Sequence, residues 1–433
     1  MQPFTALPRS FSGAVLATFA FLLSACSPQE PPAQTQATPT VPADVTEPAP
    51  VVSDAVVYEG ARLIIGDGSP PIENGLFIVE NGRFTVVGEA AAVTLPAGAR
   101  RVDLSGKTVM PTIIDTHVHL STEREALIED LRKRATYGVS AALSMGMDNT
   151  PDVFAVREER APGIALYFTA GRGITSPEPG RTEAPHWVTT EEEARAAVRE
   201  EAARGVDIIK IWVDDRNGQY DKLPAELYRA VIEEAHAAGL RVAAHIFALE
   251  DAKELLRAGI DVFAHGVRDQ DIDEEFINMM RDRSHVVLIP NLPARGIATD
   301  LEWLRGTIPD AQLQQLLDAP TGQENVITAF GIQARNLQRL SQAGVRITVG
   351  TDGNTPWGPH IEMEDMVAAG MSPMNVLTAA TRNGAEFLGL NDRGTLAAGK
   401  VADFIVLDAN PLDAITNTRR INSVYLAGEE VQR

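Results

Sequence analysis

The sequence predicts an α/β fold: a closed (β/α)8 TIM barrel carrying a small β-sandwich built from both chain ends. Three observations carry that expectation. Eight short apolar stretches alternate with helical patterns between residues 111 and 388, with glycines where the helices should stop. Short strands set among turn residues stand before and after that region. Ligand-type side chains sit where the strands of the middle region end, which is the end at which such barrels carry chemistry.

In chain order, residues 1–25 read as an export signal. Arg9 is their only formal charge, so the net charge of −21 becomes −22 without them. The apolar run 11–23 is too short for a bilayer core, which needs ~20 residues, and fits a secretory segment. Leu23-Ser24-Ala25-Cys26 resembles the bacterial lipoprotein box, which implies cleavage before Cys26 and a lipid on its sulfur. Ser27 rather than Asp after it fits outer-membrane sorting, with the folded part facing the periplasm. An ordinary signal peptide with an incidental cysteine is the plainer alternative. Cys26 is the only cysteine, so core packing and bound metal, not disulfides, must hold the exported part. Residues 26–52 are rich in proline and lack long apolar side chains that could seed a core, so they read as a disordered tether.

Residues 53–110 are expected to form the first part of the sandwich. Strands at 76–80 and 83–87 flank Asn81-Gly82, a pair that tolerates the positive φ of a tight hairpin. Residues 389–433 supply the second part, with strands at 402–407 and 422–426; two separate β-elements are the alternative. Between them lies the barrel, 111–388. Its first strand is the apolar run before His117, followed by strands at 139–145, 164–170, 206–213, 240–246, 260–264, 286–289 and 345–350. Helices are expected at 191–204, 225–238, 249–258 and 325–343, ending at Gly205, Gly239, Gly259 and Gly344.

The strand ends bear the function. In a strand, residues i and i+2 share a face, so His117 and His119 point the same way and form a chelate for a borderline metal such as zinc. Lys210 lies on the fourth strand, His245 and His265 end the fifth and sixth, and Asp352 closes the eighth. Each has a dull explanation alone. Six such residues at the ends of five strands point to a metal site. The acidic surface repels nucleic acid and anionic headgroups, so membrane contact is expected only through a lipid on Cys26. Self-association is left open.

With these residues in place, the chain resembles the amidohydrolase superfamily, in its imidazolonepropionase-like and prolidase-like branch. The likeness runs from about residue 54 to the C-terminus and includes the glycine-rich return Arg393-Gly394-Thr395-Leu396-Ala397-Ala398-Gly399-Lys400-Val401-Ala402-Asp403. Pro111-Thr112 stands where that family usually has Pro-Gly. The resemblance implies that His117, His119 and Asp352 hold a buried metal and that His245 and His265 hold a more exposed one. It implies further that Lys210, carboxylated by carbon dioxide, bridges the two as a carbamate. An unmodified Lys210 would leave a mononuclear, deaminase-like site. The cofactors expected are therefore two divalent ions, zinc by preference.

A hydroxide bridging two metals would attack the substrate carbonyl, and Asp352 would carry its proton to the leaving amine. We expect a hydrolase of amide bonds acting on small peptides or N-acyl amino acids. Hydrolysis of a cyclic amide, lactone or organophosphate at the same site is a second reading, and a silent binding lipoprotein a third. Intact ligands and an intact Asp352 argue against the third. Tyr220, Arg268 and His360 are candidates to meet a substrate carboxylate. Gly171-Arg172-Gly173 lacks the Gly-Lys-Ser/Thr of a phosphate loop and reads as a mobile substrate loop at most. His186, His236 and His285 fit no strand end and are taken as structural.

Overall fold

The computed structural model describes residues 54–433, apart from 91, 92 and 94. The expected export signal, the lipidation site at Cys26 and the tether lie outside the described residues.

The barrel strands are β1 (Ile113–Val118), β2 (Val139–Ser144), β3 (Leu166–Thr169), β4 (Ile209–Val213), β5 (Val242–Ile246), β6 (Val262–Ala264), β7 (Val287–Ile289) and β8 (Arg346–Ile347). They pair in parallel in two runs, β1 to β3 and β4 to β8. Two seams close the ring. Asp207 N–H donates to Thr169 O at 2.9 Å between the third and fourth strands, and Thr116 N–H donates to Val349 O at 2.8 Å between the first and eighth. Parallel sheets are covered on both faces, and β1, β2, β4 and β5 are buried along their whole length.

Local chemistry sets the helix limits. Helix Glu191–Arg204 begins at Thr190, whose hydroxyl accepts from Glu193 N–H while the Glu193 carboxylate accepts from Thr190 N–H. It ends at Gly205, and helix Leu249–Ala258 ends at Gly259, with φ of 78° and 93° that a side chain would resist. The expected helices 225–238 and 325–343 appear as Ala225–Ala237 and Glu324–Gln342. Two short strands not anticipated, Ile174–Thr175 and His186–Trp187, extend the sheet beside β4.

Both ends of the chain meet in one sheet of eight strands. Phe404–Leu407 lies between Thr108–Pro111 and Ile421–Leu426, antiparallel to each, and Thr108–Pro111 continues to Val56–Leu63. The hairpin of Ile72–Glu80 and Arg83–Glu89 turns at Asn81 and Gly82, with φ of 50° and 72°, as the sequence predicts. Its core is aromatic and drawn from both ends: Tyr58 stacks on Phe77 at 4.7 Å, and Phe404 stacks on Tyr425 at 4.4 Å. Phe77 meets Phe404 edge-on at 5.0 Å, which joins the two stacks. Thr108–Pro111 then leads directly into β1, so the sheet is anchored next to the strand that carries the first two histidines.

Candidate metal centre

His117 is the fifth residue of β1 and is fully buried, while His119 follows the strand and remains partly open. Asp352 comes to them across the seam with the eighth strand. The N–H groups of Thr351 and Asp352 both donate to His117 O, at 2.9 and 2.8 Å, and the Thr351 hydroxyl donates to Asp115 at 2.8 Å. These bonds hold Asp352 at φ 53°, a left-handed conformation costly for a non-glycine residue. Its Oδ1 then lies 3.1 Å from His117 Nε2 and 3.0 Å from His119 Nε2, with Oδ2 3.6 Å from His265 Nε2. His265 follows β6 and is also strained, at φ 120°. Its ring centre is 5.2 Å from that of His117 and 4.4 Å from that of His245, which lies on β5.

Lys210, on β4, is fully buried, and its Nζ has no hydrogen-bond partner among the described residues. Trp212, two residues on, covers it with its ring centre 5.4 Å from Nζ. The indole fits between glycines of the loops after β2 and β3. A Cβ at Gly146 would lie 2.6 Å from its Cη2, and one at Gly173 2.2 Å from its Cζ3.

Electrostatics prepare these groups as ligands. Burial, aided by the Lys210 charge, brings His117 down to about 4, and burial brings His245 to about 3 and His265 well below the usual value. All three rings are therefore neutral near pH 7, with a lone pair to offer. Burial lowers Lys210 to about 7, with Asp352 opposing and Arg268 and Arg216 reinforcing. Burial alone would raise Asp352, yet His117, His119 and His265 hold it well below the carboxylate range.

A divalent cation fits this arrangement. His117, His119 and Asp352 bring ligand atoms within 4.8 Å of one another, and both ring nitrogens of the buried His265 lack a hydrogen-bond partner, as does Lys210 Nζ. Buried polar atoms left unpaired are costly, and nitrogen and carboxylate donors facing one space are what zinc-like ions take. Asp352 is 39% exposed, so the centre is open on one side to a substrate.

The three substrate candidates divide. Arg268 makes no ion pair among the described residues, its Nε has no hydrogen-bond partner, and its charge acts on Lys210, His245 and His265. Tyr220 turns its hydroxyl to the Pro179 carbonyl at 3.2 Å. His360 is a correction. It is buried, with Nε2 2.9 Å from Tyr137 O and Nδ1 3.0 Å from the Thr418 hydroxyl, so it has no face for a substrate. Gly171-Arg172-Gly173 is another correction, being a packed segment. Arg172 donates to the Ala184 and Pro185 carbonyls, and Gly173 N–H donates to Gly146 O at 2.8 Å. His186 and His236 serve structure, bonded to Glu201 and Asp261 at 2.8 and 2.9 Å.

Sequence reasoning missed two partners of the ligands. Asp214 Oδ2 lies 3.0 Å from His245 Nε2, and Asn291 Oδ1 lies 2.9 Å from His117 Nδ1. Both follow barrel strands, so the strand-end rule would have found them had it been applied to every strand and every polar residue type.

The profile of the amidohydrolase family matches residues 108–431. Imidazolonepropionase from Deinococcus radiodurans is 27% identical over 387 residues, spanning 83% of this chain and 92% of that protein. Ochratoxinase from Aspergillus niger is 26% identical over 420 residues, spanning 83% and 82%. Among solved structures, a protein proposed to be a prolidase from Bifidobacterium longum superimposes with a TM-score of 0.72 at 31% identity, covering 89% of this chain and 96% of that one.

Proposed function

Because this chain belongs to the amidohydrolase family, we propose that it hydrolyses the amide bond of small peptides or N-acyl amino acids, with two divalent metal ions, zinc by preference. When bound, such ions supply Lewis acidity at the carbonyl oxygen and lower the pKa of water from ~15.7 toward neutrality. The observation that carries the reading is the convergence of His117, His119, Lys210, His245, His265 and Asp352 at one open end of the barrel, with Lys210 Nζ buried and unpartnered. The prolidase reading of the 31% identical structure favours peptides over other amides.

Each side chain has a task. His117 and His119 would hold one ion with Asp352, and His245 and His265 would hold the other. A neutral Lys210 Nζ could add to carbon dioxide, forming an N–C bond and releasing a proton, and the carbamate would supply oxygen ligands where an ammonium would repel a cation. Asp352 takes the proton of the attacking water and delivers it to the leaving amine nitrogen, which amide cleavage requires. Arg268 receives the substrate's carboxylate. We propose also that the chain is exported and held to the outer membrane by a lipid on Cys26, so that Cys26→Ser releases it in soluble form.

Metal content and hydrolysis of a panel of dipeptides, N-acyl amino acids and lactones, measured for wild type and Lys210→Ala, test the reading. About two ions per chain in the wild type, with loss of metal and of amide hydrolysis in the variant, is the expected result. One ion in both proteins would replace it with a mononuclear, deaminase-like site. Hydrolysis of lactones alone would replace the substrate class.

A further inference from the structure

A neutral imidazole carries one N–H, and it can ligate a metal only through the other nitrogen. His117 turns Nε2 toward Asp352 Oδ1 at 3.1 Å, so to share an ion with that carboxylate Nε2 must be bare and the proton must sit on Nδ1. The partner at Nδ1 is the Asn291 side-chain oxygen, at 2.9 Å in a buried setting. A carbonyl oxygen only accepts, so this contact admits one tautomer. A carboxamide turned the other way would offer its NH2 to Nδ1 and drive the proton to Nε2, where it would block the metal.

The backbone around Asn291 fixes where its carboxamide lies, and its Nδ2 has no hydrogen-bond partner among the described residues. Asn291 follows β7 through Pro290 and adopts φ 43°, a left-handed turn that swings its side chain back toward the barrel axis. The next amide, Leu292 N–H, is taken by both oxygens of the Glu362 carboxylate, each at 3.1 Å. Glu362 lies on helix Gly358–Ala368 and is buried, so the strained turn is tied to a rigid element. Space for the carboxamide comes from Gly350. A Cβ there would lie 2.8 Å from His117 Cβ, 3.0 Å from Asn291 Nδ2 and 2.4 Å from Ile289 Cγ2.

The other side of the centre is supported differently. His245 has a carboxylate, Asp214, at its Nε2, with Arg216 Nη1 3.2 Å away. A carboxylate makes an imidazole more basic, whereas a carboxamide sets the tautomer without adding charge.

We propose that Asn291 is a positioning residue that fixes His117 in the Nδ1–H tautomer, with Glu362 and Gly350 holding Asn291 in that pose. This rests on the reading of His117 as a metal ligand. The test uses wild type, Asn291→Ala and Asn291→Asp, each checked for folding by thermal unfolding. Nitrogen-15 NMR of the zinc-loaded proteins reads the His117 tautomer directly, and chelator competition reads metal retention. The wild type should show Nδ1 protonated. Asn291→Ala should show mixed tautomers and about 10- to 100-fold weaker retention of one ion. Asn291→Asp keeps an acceptor at the same place and should restore both. Wild-type His117 with a bare Nδ1, or an alanine variant that keeps both tautomer and metal, would overturn the proposal. A failed fold in the alanine variant leaves the aspartate variant and the wild-type tautomer to decide. Absence of metal from the wild type even after added zinc would instead refute the metal reading on which the proposal rests.

Discussion

Replacing Arg134 should damage the centre from a distance. Arg134 lies in the last turn of helix Arg124–Thr136, is fully buried, and donates to the carbonyls of Gly353 and Thr355, each at 3.1 Å. Those carbonyls belong to the loop that begins at Asp352. Arg134→Met keeps the bulk of the stem and removes a charge-assisted donor from each carbonyl, at about 1.5–3 kcal/mol each, while His119 N–H and Gly358 N–H stay on them at 3.3 and 3.0 Å. Part of that loss returns because burial already disfavours the guanidinium charge, with Asp115 and Asp130 only opposing. A net destabilisation of about 2–4 kcal/mol follows. The loop gains freedom next to Asp352, and a misplacement of about 1 Å there can cost on the order of 100-fold in rate. Thermal unfolding and steady-state kinetics of the Met and Lys variants are the assay. We expect kcat to fall with KM nearly unchanged, and Lys to fall between wild type and Met. A Met variant with wild-type Tm and kcat would refute the argument.

Two further outcomes follow from the same geometry. Arg268→Met should raise KM for substrates with a free carboxylate by about 10- to 100-fold, the worth of a charge-assisted hydrogen bond, and leave their carboxamide analogues unaffected; equal effects on both would remove Arg268 from substrate recognition. Burial holds the His360 ring at about 4 against an ordinary 6.5, with the Tyr137 carbonyl opposing, so the folded chain stays neutral where the unfolded chain takes a proton. Its contribution is whole above pH 6.5 and is lost as pH falls toward 4, by at most about 3 kcal/mol. Urea midpoints measured at about pH 7.5 and about pH 4.5 should fall less for His360→Gln than for wild type, and parallel falls would show that the ring is not kept neutral.

What was legible in the sequence was what local rules write there. The ends of helices Glu191–Arg204 and Leu249–Ala258 could be read because C-terminal glycines mark them. The Asn81-Gly82 hairpin was legible for the same reason. Six strand-end side chains could be placed at one mouth because parallel strands around a ring all present the same end. The eighth strand was expected over 345–350 and pairs regularly only at Arg346–Ile347. Closure against β1 and the crowding at Gly350 take over beyond that point, and both are tertiary. The position of His360 eight residues after Asp352 placed it near the mouth on paper. The helix that starts at Gly358 turns it instead toward Tyr137 and Thr418, a direction no local pattern records. Asn291 escaped because an asparagine after a strand looks like turn chemistry, and its contact with His117 spans 174 positions.

The seam between the first and last strands has a consequence for how the protein comes into being. His119 and Asp352 are 233 positions apart, and nothing but closure of the ring brings them together. During synthesis the paired histidines emerge early and wait, as a loose two-point chelate, for almost the whole barrel to follow. A firm grip on an ion thus certifies a finished ring. An ion held there would act as a clasp across the join, adding its binding free energy to the seam that loop-closure entropy makes hardest to form.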